Sequence, residues 1–170
     1  MIQIYTGLGK GKTTAALGLA LRALGAHQRV CLIQFMKKGN TSEIKALKKF
    51  KNIEIKQFGA RPNVFVNLKR PKAADINAAR KGLAYAEKAI KSGNFPLIIL
   101  DEINVAIKFK LIKLEEIIRL IKARPLSTEL VLTGRYAHDR LIKNADLVTE
   151  MKVIKHYFDR GVRSRKGIEY

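Results

Sequence analysis

The sequence predicts a doubly wound α/β domain, with a mostly parallel sheet and helices on both faces, and three observations carry that prediction. Short apolar runs alternate with longer stretches whose apolar residues recur at steps of three and four. Two of the runs, residues 29–35 and 97–100, are apolar almost throughout, as strands buried on both faces of a parallel sheet must be. The first run leads directly into a glycine-rich loop and then into helix-forming residues, the opening of a strand–loop–helix unit. With 170 residues, and about 150 residues per domain, the chain is expected to be one domain over 1–170 whose end, 152–170, is a basic tail.

Residues 1–5 are the first strand, followed by Thr6-Gly7-Leu8-Gly9-Lys10-Gly11-Lys12-Thr13-Thr14 and a helix that begins near Lys12 and runs on to Leu24. Gly25 stands where a helix end wants a residue at positive φ. Residues 29–35 form the second strand. Ser42 is expected to cap a short helix reaching about Lys51, ahead of a third strand at 53–58. Residues 59–70 are then a long irregular connection, of the kind that often carries function. Pro71 precedes a helix whose Ile76, Ala79, Leu83, Ala86 and Ile90 mark one core-facing stripe, closed by Ser92-Gly93. Residues 97–100 deliver Asp101 and Glu102 to the carboxyl end of a strand. Leu114, Ile117, Ile118 and Ile121 define another amphipathic helix, stopped before Pro125. A strand at 129–133, a helical segment at 138–144 and a last strand at 147–151 complete the alternation.

Composition narrows the function. Apolar residues at 47% and charged ones at 28% describe a folding domain, not a disordered chain. No apolar run approaches the roughly 18 residues that span a bilayer, and the N-terminus lacks the features of a secretory leader. A cytoplasmic setting without membrane insertion is therefore expected. Cys31 is the sole cysteine, which excludes an internal disulfide framework and a cysteine-rich zinc site. It reads as a small apolar strand residue, and His27 and His138, with no companions at metal spacing, read as structural. The outlier is charge: 34 basic against 14 acidic residues gives +20, which attracts phosphates, nucleic acid and anionic surfaces. Basic residues are spread along the chain, concentrated locally at Lys45, Lys48, Lys49, Lys51 and at Arg160, Arg163, Arg165, Lys166. The chain has no Trp, and the lysine-rich stretch 37–51 holds only Phe50, so a base-stacking platform is missing and nucleic acid is disfavoured as a partner.

The strict phosphate-loop pattern is Gly, four residues, then Gly-Lys-Ser/Thr. Gly11-Lys12-Thr13 fits its end, but Thr6 occupies the first glycine's place and Gly7 comes one position late. The physics of the loop is preserved: Gly7, Gly9 and Gly11 allow successive backbone N–H groups to point inward, and the following helix adds the positive end of its dipole. Lys12 and Lys10 supply point charges for a polyphosphate, and the Thr13 hydroxyl is a candidate ligand for Mg2+ or Mn2+. The alternative, a glycine-rich turn with solvated lysines, does not explain the strand before it and the helix after it. Asp101 and Glu102 follow a buried strand, where a carboxylate needs a cation or donors to offset its desolvation. One of the two is expected to complete the metal shell; the spacing does not say which, and an acidic helix cap is the competing explanation. The fold expected is thus of the P-loop NTPase kind, and the ligand expected is a nucleoside triphosphate.

Together these residues resemble the ATP:cob(I)alamin adenosyltransferases, the corrinoid adenosyltransferases of the CobA type. The resemblance runs through the loop Thr6 to Ala16, Ile33-Gln34-Phe35, Ile99-Leu100-Asp101-Glu102-Ile103-Asn104, Arg124-Pro125, Thr133-Gly134-Arg135 and the segment 145–151. Lys155-His156 and Gly167-Ile168-Glu169-Tyr170 also fit. It implies transfer of the 5′-deoxyadenosyl group of ATP to the cobalt of cob(I)alamin or a related corrinoid, releasing triphosphate, in cobalamin biosynthesis or salvage. By this resemblance Gly7, Leu8, Gly9, Lys10, Gly11, Lys12, Thr13, Thr14, Phe65 and Arg135 bind nucleotide or corrinoid. Lys12, Thr13 and Lys10 assist departure of triphosphate, together with a metal whose expected ligands remain Thr13 and one of Asp101 and Glu102. Lys155 and His156 are further candidates for corrinoid contact. The partners implied are an electron donor such as a flavoprotein and a second copy of the chain.

Two departures stand out. Phe65 matches a family phenylalanine in an aromatic-lined corrinoid pocket, but Asn67 stands where a tryptophan is often found. Many relatives carry an N-terminal extension over the active site, whereas this sequence starts on its first strand, so poorer water exclusion is expected. The rival functions are a P-loop ATPase or kinase acting at phosphorus, which needs the same loop and acidic pair, and a basic nucleic-acid-binding ATPase.

Overall fold

Side-chain alternation along the strands decides the layering. In the computed structural model, which describes residues 1–60 and 71–170, six strands form one sheet: β1 (Ile2–Thr6), β2 (Val30–Phe35), β3 (Ile53–Phe58), β4 (Leu97–Asp101), β5 (Glu129–Thr133) and β6 (Leu147–Glu150). Their order is β3-β2-β4-β5-β1-β6, and each neighbouring pair is parallel. Between them run α1 (Lys12–Gly25), α2 (Ser42–Leu47), α3 (Ala73–Lys91), α4 (Ile103–Lys108), α5 (Leu114–Ala123) and α6 (Asp139–Ile142), with a 3-10 turn at Tyr157–Arg160.

One face of the sheet, made by Val30, Leu32, Leu97, Ile99 and Val131, is covered by α1 and α2 through Ala16, Ala20, Ala23, Leu24, Ile44 and Leu47. The opposite face, with Cys31, Ile33, Phe35, Ile98, Leu100, Leu130 and Leu132, is covered by α3, α4, α5 and α6. Helices thus lie on both faces, as the apolar strands required. On α3, Gly82 is a packing glycine: a Cβ there would sit 2.7 Å from the Phe35 ring. Cys31 is fully buried, and desolvation pushes its thiol up to about 12, consistent with a small apolar filler.

The connection from β1 through α1 passes over β5 and β4 to reach β2, while β5 leads through α6 to β6 on the far side of β1. All carboxyl ends therefore lie along one edge of the sheet, where ligands bind in open α/β folds. Strand β5 separates β1 from β4, so its last residue, Thr133, stands between the glycine loop and Asp101.

Several boundaries differ from expectation. Helix α2 ends at Leu47, not near Lys51, and Thr41 occupies its N-cap, while the Ser42 hydroxyl donates to the Tyr170 carbonyl 3.1 Å away. Helix α4 was not anticipated, because six residues give periodicity no room. The expected helical segment at 138–144 shortens to α6, with the His138 imidazole accepting from the Arg140 N–H at its start. Strand β6 is exposed along its whole length, at the edge of the sheet. Among the described residues no helix is long and apolar enough to cross a membrane.

Leu100 is fully buried at the centre of the sheet. Leu100→Ala is expected to cost about 3 kcal/mol of folding stability, read as a lower urea midpoint at unchanged slope.

Candidate active site

The glycine loop is shaped from outside as well as by its own torsions. Gly7 and Gly11 have φ of 95° and 116°, a region that disfavours any side chain. The segment leaving β6 seats directly against the loop: Gly9 N–H donates to the Met151 carbonyl at 2.7 Å, and a Cβ on Gly9 would meet that same oxygen at 2.7 Å. A Cβ on Gly7 would collide with the same peptide group. Thr6, in place of the usual first glycine, is the last residue of β1; its carbonyl accepts from Met151 N–H and its hydroxyl from Ala137 N–H. The loop therefore begins one residue late because Thr6 is still strand.

Lys12 is buried, and its ammonium donates to the Gly9 carbonyl at 2.6 Å, folded back across the loop. Burial first, then the nearby Arg135 charge, hold its pKa below the usual lysine range against the opposing pull of Glu102 and Asp101. Lys10 points the other way, donating to the Tyr157 hydroxyl at 2.8 Å and to Glu169 at 2.9 Å in the C-terminal segment. Leu8, Thr14 and Arg135 are exposed around the loop.

At the heart of the site lies Asp101, with no solvent exposure. Its Oδ1 accepts from the hydroxyls of Thr133 (2.6 Å) and Thr13 (2.9 Å), and its Oδ2 from Lys37 Nζ (2.7 Å) and Gln34 Nε2 (2.9 Å). Burial pushes the Asp101 carboxyl upward, but the Lys37 charge and these hydroxyl donors prevail and hold it below the ordinary value. The Gln34 amide is fixed in turn by Gln57, whose own oxygen accepts from Gly39 N–H. Glu102 takes a φ of 64°, and its N–H donates to the Thr133 hydroxyl at 3.0 Å. Its side chain makes no helix-cap bond to α4, which removes the capping explanation for Glu102. Burial and the adjacent Asp101 charge raise its pKa against the opposing pull of Lys37, 3.9 Å away.

The structure thus brings Thr13, Asp101 and Glu102 to one place with Lys12 behind them. It does not turn the Lys10 ammonium into the loop, since Tyr157 and Glu169 hold it. Phe65 and Asn67 lie outside the described residues. His156 caps the 3-10 turn, its Nδ1 accepting from Phe158 N–H, and Lys155 beside it is exposed. Sequence reasoning gave no role to Gln34, Lys37 or Thr133. The polar Gln34 in the otherwise apolar run 30–35 was the available signal; Lys37 had none, being one lysine in a lysine-rich stretch. Among the described residues no group of three or more His, Cys, Asp or Glu forms a cage for a metal ion.

A parallel sheet, a glycine loop opening a helix at its carboxyl edge, and a hydroxyl–carboxylate contact between that helix and a neighbouring strand define a P-loop nucleotide-binding protein. The backbone matches a KaiC-like protein of Pyrococcus horikoshii OT3 with a TM-score of 0.56 over 91% of this chain and 73% of that one, at 14% identity, a likeness of fold alone. The family model described as ATP:corrinoid adenosyltransferase BtuR/CobO/CobP matches residues 1–170. A corrinoid adenosyltransferase of a Sinorhizobium species is 34% identical, with 100% of this chain and 80% of that protein aligned. Those of Escherichia coli K12 and Salmonella typhimurium LT2 are 31% and 32% identical, each over 100% of this chain and 85% of its own length. The chain belongs to the ATP:corrinoid adenosyltransferase family and is a transferase.

Asp101→Asn leaves the Lys37 charge without its partner and is expected to cost about 3 kcal/mol at neutral pH. Because the Asp101 carboxyl is held below its ordinary value of about 4, the stability it confers is present above that pH and is lost as pH falls through the lower, folded-state value. Urea midpoints measured from pH 7 down to pH 2 should therefore show a shallower acid decline in Asp101→Asn than in the parent.

Proposed function

We propose that the phosphate loop binds the triphosphate of ATP so that the ribose 5′ carbon, not the terminal phosphorus, faces a corrinoid bound at the carboxyl edge of the sheet. The cobalt of the reduced corrinoid supplies the electron pair that forms the Co–C bond; the C5′–O bond breaks, and its electrons leave with triphosphate. Such an attack needs no protein base, only alignment and neutralisation of the departing charge. The observation that carries this reading is the Thr13–Asp101 hydrogen bond, which ties the loop to the acidic end of β4.

Within the site, the N–H groups of the loop and the start of α1 donate to phosphate oxygens. Lys12 exchanges the Gly9 carbonyl for a phosphate oxygen. Arg135, close enough to influence Lys12, contacts the nucleotide from the β5 side. The donor set fits Mg2+ or Mn2+: Thr13 hydroxyl and Asp101 carboxylate are hard oxygens 2.9 Å apart, and a cation, Lys37, already lies against both. Thr13 and Asp101 would hold the metal with Glu102 acting through water, and the ion supplies charge neutralisation on the leaving triphosphate. Lys10 reaches phosphate only by leaving Tyr157 and Glu169. Phe65 takes part in shielding the lower corrinoid face, to which Asn67 brings less apolar bulk than a tryptophan would. A flavoprotein reductant, a homodimer and a cytoplasmic location complete the proposal.

Incubation with ATP, Mg2+ and chemically reduced cobalamin is expected to give the absorption change of Co–C bond formation and one triphosphate per adenosylated corrinoid. ADP and phosphate formed without corrinoid would instead mean phosphoryl transfer. Lys12→Ala is expected to lower the rate about a hundredfold, equivalent to ~3 kcal/mol of transition-state stabilisation, with its circular dichroism unchanged. A parental rate in that variant would remove Lys12 from the mechanism.

A further inference from the structure

We infer that Lys37 is a positioning residue of the metal site: its ammonium stands in the place of the divalent cation, and it withdraws when the cation arrives with a nucleotide. Lys37 Nζ lies 2.7 Å from Asp101 Oδ2, 3.2 Å from the Thr13 hydroxyl and 3.9 Å from Glu102 Oε1. It therefore touches or approaches each oxygen group proposed as a metal ligand. Two cations sharing those oxygens would repel each other in a site with little water to screen them. One must leave.

The surroundings say which group moves. Of the four donors to Asp101 among the described residues, Thr133 and Gln34 are buried, and Gln34 is held by Gln57. Thr13 is fixed on the first turn of α1. Lys37 alone combines a long side chain with solvent access, 36% of it being exposed. Its main chain stays put. Met36 N–H donates to the Phe58 carbonyl at 3.1 Å, and a Cβ on Gly59 would meet the Lys37 carbonyl carbon at 2.7 Å, so this peptide is pressed against the end of β3. The ammonium can swing while its backbone does not. A triphosphate on the adjacent loop offers it a new anionic partner, which free metal does not. The exchange thus favours joint entry of metal and nucleotide and resists metal entering alone.

This inference rests on Thr13 and Asp101 being metal ligands, and the test separates the two ideas. Free Mn2+ is followed by its electron paramagnetic resonance signal in titrations of the parent protein, Lys37→Met, Lys37→Arg and Asp101→Asn. The parent is expected to bind Mn2+ weakly alone and tightly with ATP. Lys37→Met is expected to bind Mn2+ without nucleotide roughly tenfold more tightly or better, a gain of about 1.4 kcal/mol, while Lys37→Arg stays near the parent. Equal Mn2+ affinity in Lys37→Met and the parent, with ATP-dependent binding intact, overturns the role of Lys37 alone. If ATP recruits no additional Mn2+ to the parent, or Asp101→Asn binds Mn2+·ATP as well as the parent, the metal reading falls and this inference with it. Should Lys37→Met be unfolded in metal-free buffer, refolding on addition of Mn2+ supports the inference, and failure to refold at any Mn2+ concentration overturns it.

Discussion

A single buried carboxylate organises this molecule. Asp101 is removed from water entirely, and an ion in that position is tolerated only if donors from the protein replace its hydration. Those donors come from the start of α1, from β2, from the turn after β2 and from the end of β5. Compensating one charge therefore brings three separate chain segments, around Thr13, Gln34 with Lys37, and Thr133, to Asp101 at the carboxyl edge of the sheet. Strand order makes this possible: β5, lying between the loop strand and the acidic strand, supplies Thr133 as the bridge from Asp101 to the backbone of Glu102.

The layers were legible in the sequence because burial writes itself into period and run length. Continuous apolar runs gave β2 and β4, and the three-and-four spacing gave α3 and α5. The glycine loop was legible for the same kind of reason, since few residues tolerate positive φ where backbone amides must converge. Lys37 and the docking of Met151 against Gly9 were not, because each is a contact between residues far apart in the chain, and neither leaves a local pattern. Lys10 shows the limit most plainly. Its place in the loop suggested a phosphate contact, yet Tyr157 and Glu169, about 150 residues later, take its ammonium. The short helices α4 and α6 escaped because their boundaries depend on tertiary packing, not on propensity.

The charge of +20 has two scales in this structure. At the site, basic groups are spent locally: Lys37 on Asp101, Lys10 and Arg165 on Glu169, Lys12 on a carbonyl. Elsewhere the excess is surface, with the lysines around α2 exposed beside few acidic partners. That surplus creates a long-range attraction for polyanions which salt weakens, and it is separable from the short-range geometry that distinguishes one phosphate from another.

The backbone of Met151 forms the floor against which Gly7 and Gly9 are moulded, although it lies near the opposite end of the chain from them. During translation the glycine segment emerges early and stays without its mould until the last strand has been synthesised and paired with β1. The final shape of the loop therefore waits on a contact that spans about 140 residues of chain.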